Sequence, residues 1–213
     1  MSATIEEILS KYIPQEAVAV CTRWIVSRNI HLKITGVRTT KLGDYRPLQQ
    51  GKGHRITVNH DLNPYAFLIT FTHEVAHLHS YIKYGAYHDP HGREWKQEFK
   101  VLMGHFLSMR FFPYDLELAL HRHLSDPPSS SCHDPLLIKA LKVYDPPSAI
   151  RVYHLDELPH GTHFRLHGEK SRLSFSKGLK NRTRYRCTEL ASGRDYLVSA
   201  IAEVVLLDDE STT

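Results

Sequence analysis

Apolar residues recur at intervals of three and four through most of the first 125 positions, and at shorter, alternating intervals after about residue 150. These are the periods of helix and strand respectively. Residues 4–12 read as a short helix. A second helix starts at Pro14, a favoured first helical position. It turns Val18, Cys21, Trp24 and Ile25 toward a core and stops near Asn29. Residues 31–37 (HLKITGV) and 54–60 (HRITVNH) read as strands, the second rich in β-branched side chains. The polar, glycine-bearing segment 39–54 between them reads as a hairpin or loop. The clearest helix runs from about 64 to 84, with Asn63 as N-cap, Pro64 at its first position and Gly85 as its stop. Phe67, Leu68, Phe71, Val75 and Leu78 mark one apolar face. A further amphipathic helix spans 92–108, with Trp95, Phe99, Leu102 and Phe106 on one side, and another spans 114–124 after Pro113.

Residues 125–135 (SDPPSSSCHDP) are rich in Pro, Ser and Asp and read as a linker, followed by a short helix over 135–144 and a second break at 145–148. Beyond 150, five or six short β-like runs alternate with turns, the pattern of a small antiparallel sheet or barrel. The expected fold class is therefore α+β. A domain of helices on a small sheet (1–125) precedes a linker with a short helix (126–148) and a small all-β domain (149–207).

Composition sets limits on this picture. Hydrophobic residues make up 41% and charged residues 23%, which is globular. Cys21, Cys132 and Cys187 are odd in number and far apart, so neither a disulfide framework nor a cysteine zinc site is indicated. Reduced thiols suit a cytoplasmic chain. The N-terminus carries early acidic residues and no basic-then-apolar signal, and no run of about 18 apolar residues occurs, so no membrane partner is expected. The formal charge of +4 permits nucleic-acid contact without indicating it.

Candidate chemistry concentrates in the clearest helix, at His73-Glu74-Val75-Ala76-His77. Side chains four apart share a helix face, so His73 and His77 can hold one ion between them. Glu74 lies about 100° further round the axis, beside the ion rather than on it, where it can accept a proton from water. A catalytic zinc site needs three protein ligands and an open fourth position. His91 is favoured as the third because it sits where the chain returns into the next helix. His88 is the second choice and Glu94 the third, whereas His79 points elsewhere. An oxyanion donor could come from Tyr84, Tyr87 or Arg93, and the sequence selects none of them. Strand 54–60, if it is a sheet edge, could pair with an extended peptide substrate.

HEVAH followed, after roughly fourteen residues, by HGREW resembles the SprT family of zinc metallopeptidase-like proteins, which includes the Spartan DNA–protein crosslink proteases. The family pattern maps onto His73, Glu74, His77 and His91, with Gly92 and Trp95 matching its tail; the likeness covers about 10–112. It implies a zincin-like catalytic domain, one Zn2+ ion, peptidase chemistry on a protein or peptide substrate, and action on DNA-associated proteins. Many members carry a C-terminal zinc ribbon with paired cysteines. Here only Cys187 stands in that region, so a second zinc is not expected.

The last third is basic, with ten Lys/Arg against six Asp/Glu over 151–206. Arg182, Arg184 and Arg186 alternate, which on a strand puts all three on one face, a candidate nucleic-acid contact. Two function classes follow. One is a zinc metallopeptidase with Glu74 as its proton acceptor. The other is a non-catalytic zinc-binding module that reaches nucleic acid or a transcription partner through the basic sheet.

Overall fold

The computed structural model describes residues 3–38, 40–48, 53–86, 89–127, 134–146, 152–168 and 173–207. The chain divides into two compact units, residues 1–146 and 147–213. The mixture of helices with two separate sheets agrees with the α+β expectation.

In the first unit, helices α1 (Ile5–Leu9) and α2 (Gln15–Ser27) lead into strands β1 (Ile30–Thr35), β2 (Gly43–Arg46) and β3 (His54–Asn59). Helices α3 (Pro64–Tyr84), α4 (Arg93–Ser108), α5 (Tyr114–Ser125) and α6 (Pro135–Lys142) follow. Asn29 leaves α2 with φ 48°, a left-handed conformation that asparagine tolerates and that turns the chain into β1. The sheet order is β1-β3-β2, with β1 parallel and β2 antiparallel to β3. Strand 54–60 is therefore central, paired on both sides, and cannot accept an added peptide as its sequence had suggested. Its burial explains the position: every residue of β3 except Arg55 is buried, as a strand covered on both faces requires. The edge that the sequence hid is β2. Its first residues, Gly43 and Asp44, are poor strand formers, and their strand conformation comes from pairing with β3.

Helix α3 has the expected bounds. Asn63 Oδ1 caps it by accepting the Ala66 N–H at 2.9 Å, and Gly85 ends it with φ 79°. Its burial is wider than one apolar face, because β2 and β3 pack on one side and α4 on another. Thr72 tolerates this by donating its hydroxyl to the Leu68 carbonyl at 2.8 Å. The short helix expected inside the linker, α6, buries Leu137 and Leu141 in the same core as α3 and α4. Asn63 ties it there, since its Nδ2 donates to the Leu141 carbonyl (2.8 Å) and to Asp145 Oδ1 (2.7 Å). Asn63→Ala removes the cap and both of these bonds. It is expected to lower stability by about 1–3 kcal/mol in urea unfolding. A loss under about 0.5 kcal/mol, the level of an ordinary surface change, would refute this dual role.

The second unit is a six-stranded sheet with every pairing antiparallel. Its strands are β4 (Tyr153–His154), β5 (His163–Leu166), β6 (Ser174–Asn181), β7 (Arg184–Glu189), β8 (Asp195–Ser199) and β9 (Glu203–Leu206). The order is β4-β9-β5-β6-β7-β8. Phe164, Phe175, Cys187, Val198 and Val204 form its core with Leu155 and Leu158. Arg184 and Arg186 share the outward face of β7, while Cys187 and Glu189 are buried. Arg182 is not in the strand. It occupies the turn between β6 and β7, where Asn181 already pairs with Arg184. No described helix is long and apolar enough to cross a membrane.

Candidate metal centre

The ring nitrogens of three histidines meet at one point. His73 Nε2 lies 3.2 Å from His77 Nε2 and 3.3 Å from His91 Nε2, and His77 and His91 are 3.1 Å apart. A neutral imidazole nitrogen is either a donor or an acceptor, so three of them cannot satisfy one another pairwise. One cation can satisfy all three. Ligands about 2.0 Å from a tetrahedral zinc lie roughly 3.3 Å from each other, close to the spacing found here. Burial, aided by the mutual proximity of the rings, drives the His73 pKa well below its ordinary value; burial also lowers that of His91, against an opposing pull from Asp89. The neutral ring is the ligating form. Among the described residues, these three side chains form the set that could hold a metal ion.

Each histidine is placed by its neighbours. His73 and His77 are one turn apart on α3. His91 precedes α4 in a tight turn, where its N–H donates to Asp89 Oδ1 (3.1 Å) and the Gly92 N–H donates to the Asp89 carbonyl (3.0 Å). A Cβ on Gly92 would sit 2.9 Å from Asp89 Cβ, so the turn admits no larger residue without moving. Trp95, fully buried, packs against all three imidazoles at centroid distances of 4.5, 5.4 and 4.9 Å and is backed by the Phe99 ring at 5.1 Å. Between the helices, Glu98 of α4 is buried and accepts from Lys83 Nζ of α3 at 2.6 Å. His79, which the sequence set aside, faces this same carboxylate, 3.6 Å from it.

Glu74 is buried beside the cluster and against β2. The Tyr45 backbone N–H donates to its carboxylate. Burial first, and the Asp44 carboxylate second, push the Glu74 pKa up to about 8. A bound cation pulls in the opposite direction. Gly43 makes this contact feasible, because a Cβ there would lie 2.4 Å from Glu74 Oε1 and 2.9 Å from both Glu74 Cγ and Thr70 Cγ2. The segment leading into β2 is itself clamped. Arg38 donates to Asn59 Oδ1 (2.7 Å), Thr57 Oγ1 (3.1 Å) and the Leu42 carbonyl (3.3 Å). Asn59 Nδ2 returns bonds to the carbonyls of Arg38 and Lys41. The Tyr45 ring lies parallel to His77 at 6.4 Å, and its hydroxyl shares a hydrogen bond of 3.0 Å with His54 Nδ1.

With this geometry in place, comparison with known proteins adds a family. Residues 15–111 match the SprT-like family. This region is a SprT-like domain. The match contains all three histidines, Glu74, β2 and Trp95, and ends before α5. No curated protein matches the chain. Among solved structures, the crystal structure of T. acidophilum IdeR aligns with 97% of this chain and 99% of its own at 10% identity. Its TM-score is 0.26, too low for the likeness to inform fold or function.

Within the SprT-like domain, the remaining candidates from sequence fall away from the cluster or outside the described residues. Glu94 lies in the first turn of α4 and does not join the three histidines. His88 and Tyr87 are among the residues not described. Tyr84 and Arg93 are exposed. The groups that sequence reasoning missed are Gly43, Tyr45, Arg38 and Asn59. None belongs to a short motif. The nearest signal was Gly43 itself, in a segment read as a loop.

Proposed function

We propose that the SprT-like domain is a zinc-dependent metallopeptidase of zincin type, with His73, His77 and His91 as ligands and Glu74 as the proton-transfer group. The observation that carries this reading is the three-nitrogen cluster with a buried carboxylate one residue from its first ligand. Three imidazoles suit zinc among the common metals, and no fourth His, Cys, Asp or Glu among the described residues joins them. The buried carboxylate of Glu74 beside the cluster, which a purely structural site does not need, supports an enzyme over a purely structural module. Zinc, when bound, supplies Lewis acidity that activates water and polarises a carbonyl. Glu74 then takes the water proton on its carboxylate and returns it to the leaving amine. Its buried seat beside the three histidines places the carboxylate where it can hold that proton between the two events. Among the described strands β2 ends the sheet, and beyond the Tyr45 N–H that Glu74 engages it can align an extended peptide by strand addition. The substrate class is therefore protein.

The test is metal analysis together with hydrolysis of an unfolded protein such as casein. One zinc per chain, cleavage abolished by 1,10-phenanthroline and restored by zinc, and loss of both metal and activity in His91→Ala are expected. A zinc-loaded protein that cleaves neither casein nor a peptide library would leave the non-catalytic module as the correct reading.

A further inference from the structure

The second unit lies outside the matched family region, and its charge is unevenly placed. From Lys177 to Arg186 the chain carries five basic residues and no acidic one. This stretch is the hairpin of β6 and β7. Register defines the outward face of the hairpin and its neighbour β8: Asn181 stands opposite Arg184, Arg184 opposite Ser199, and Arg186 opposite Leu197. Arg184 and Arg186 thus occupy successive outward positions on the middle strand of three. Leu197, 52% exposed, lies beside them, and Leu179, 74% exposed, lies on β6. At its far end, Asp195 Oδ2 is 3.9 Å from Arg186 Nε. On the inward side, Lys177 is buried with its ammonium 3.9 Å from the centre of the Tyr185 ring, and Lys180 is 5.7 Å from the same ring.

The turn supplies a second, independent observation. Arg182 has φ 55° at the first corner of a two-residue hairpin turn. Glycine adopts that conformation without strain, and an arginine does not. An exposed cation is held at the tip against the preference of its own backbone. Positive φ also occurs at Asn29 and Arg110, so what the turn adds is the placement of an exposed cation at the hairpin tip.

We propose that the β6–β7 hairpin binds the phosphate backbone of duplex nucleic acid through Arg182, Arg184 and Arg186. This reading does not depend on the metal centre. The duplex is preferred because Phe175 and Tyr185 pack in the sheet's core, and Tyr196, although 38% exposed, lies on that same face against Phe175. Single-strand binders use exposed aromatics as stacking platforms, and the outward face has none among the described residues. Contact through phosphates alone carries no base preference, so the binding is independent of sequence.

The test is fluorescence anisotropy of the full chain with a labelled 20-base-pair duplex, the matching single strand and poly-glutamate, from about 20 to 200 mM salt. Duplex binding with dissociation constants of about 10⁻⁴–10⁻⁶ M at physiological salt is expected. Replacing Arg182, Arg184 and Arg186 by glutamine should lower the slope of log K against log salt by about 2–3, since each phosphate contact contributes roughly 0.9. A charge-matched control replaces the exposed Lys11, Lys33 and Arg55 of the first unit by glutamine, and it should leave the slope in place. Arg182→Gly guards against misfolding: its unfolding midpoint should hold or rise while duplex binding weakens. The proposal is overturned by absence of duplex binding at 20 mM salt, by an unchanged slope in the triple variant, by equal losses in the control, or by tighter binding to the single strand or poly-glutamate.

Discussion

Glu74→Gln retains one zinc per chain and loses about 10²–10⁴-fold in turnover, the usual span of a general acid–base group. The amide keeps the size and planarity of the carboxylate, so the packing against β2 survives. It lacks the basicity to take a proton from water. Stability is not expected to suffer, because burial and Asp44 already oppose the charged form of Glu74. The measurement pairs metal content with kcat on casein. Two results are informative in opposite ways. Unchanged turnover sinks the role of Glu74. Loss of metal together with turnover would show that the carboxylate holds the site together and does not act on the proton.

Gly43→Ala is expected to produce a loss of similar size without touching any motif residue. The added methyl meets Glu74 Oε1 at 2.4 Å and Thr70 Cγ2 at 2.9 Å, so something must move. Thr70 is buried on α3 and cannot retreat, and the Arg38–Asn59 clamp restrains the chain entering β2. The flexible end of Glu74 is what yields, and the carboxylate leaves its place beside the cluster. Overpacking should cost about 1–3 kcal/mol, readable in the denaturation midpoint. The atoms nearest the added methyl belong to Glu74 and Thr70 and not to the three histidines, so zinc content is expected to stay at one. Wild-type turnover in this variant would show that β2 shifts and that its position beside Glu74 is not needed. If Glu74→Gln loses activity and Gly43→Ala does not, the peptidase reading stands and the positioning role of β2 falls.

Much of the helical frame was legible in the chain. Helix α3 could be bounded to the residue because each of its ends has a local cause: an asparagine cap with proline behind it, and a glycine that takes positive φ. Trp95, Phe99, Leu102 and Phe106 were readable as a buried face because helical periodicity reports burial directly. The strands were harder. β2 carries no alternation, and its conformation depends on β3, which follows it in sequence by several residues and is set by burial on both faces. Reading β3 as an edge failed for the same reason. A single strand does not encode how many neighbours it has. Arg182 was misplaced by one element because the arginine alternation continues across a turn that only pairing reveals.

Residues close in sequence and governed by local geometry were thus decided by the chain alone: the histidine pair one helical turn apart, the adjacent glutamate, and the cap and stop of their helix. The spacing to His91 narrowed the third ligand to a short segment. Its meeting with the other two, 3.1 and 3.3 Å away, depends on how α4 packs against α3 through Trp95 and Glu98. The seat of Glu74 depends on a strand some thirty residues upstream, brought there by the sheet. Helical rise and periodicity act over a few residues and can be read from them. The approach of Gly43 to Glu74 is a contact between distant segments, and only the packed core sets that distance.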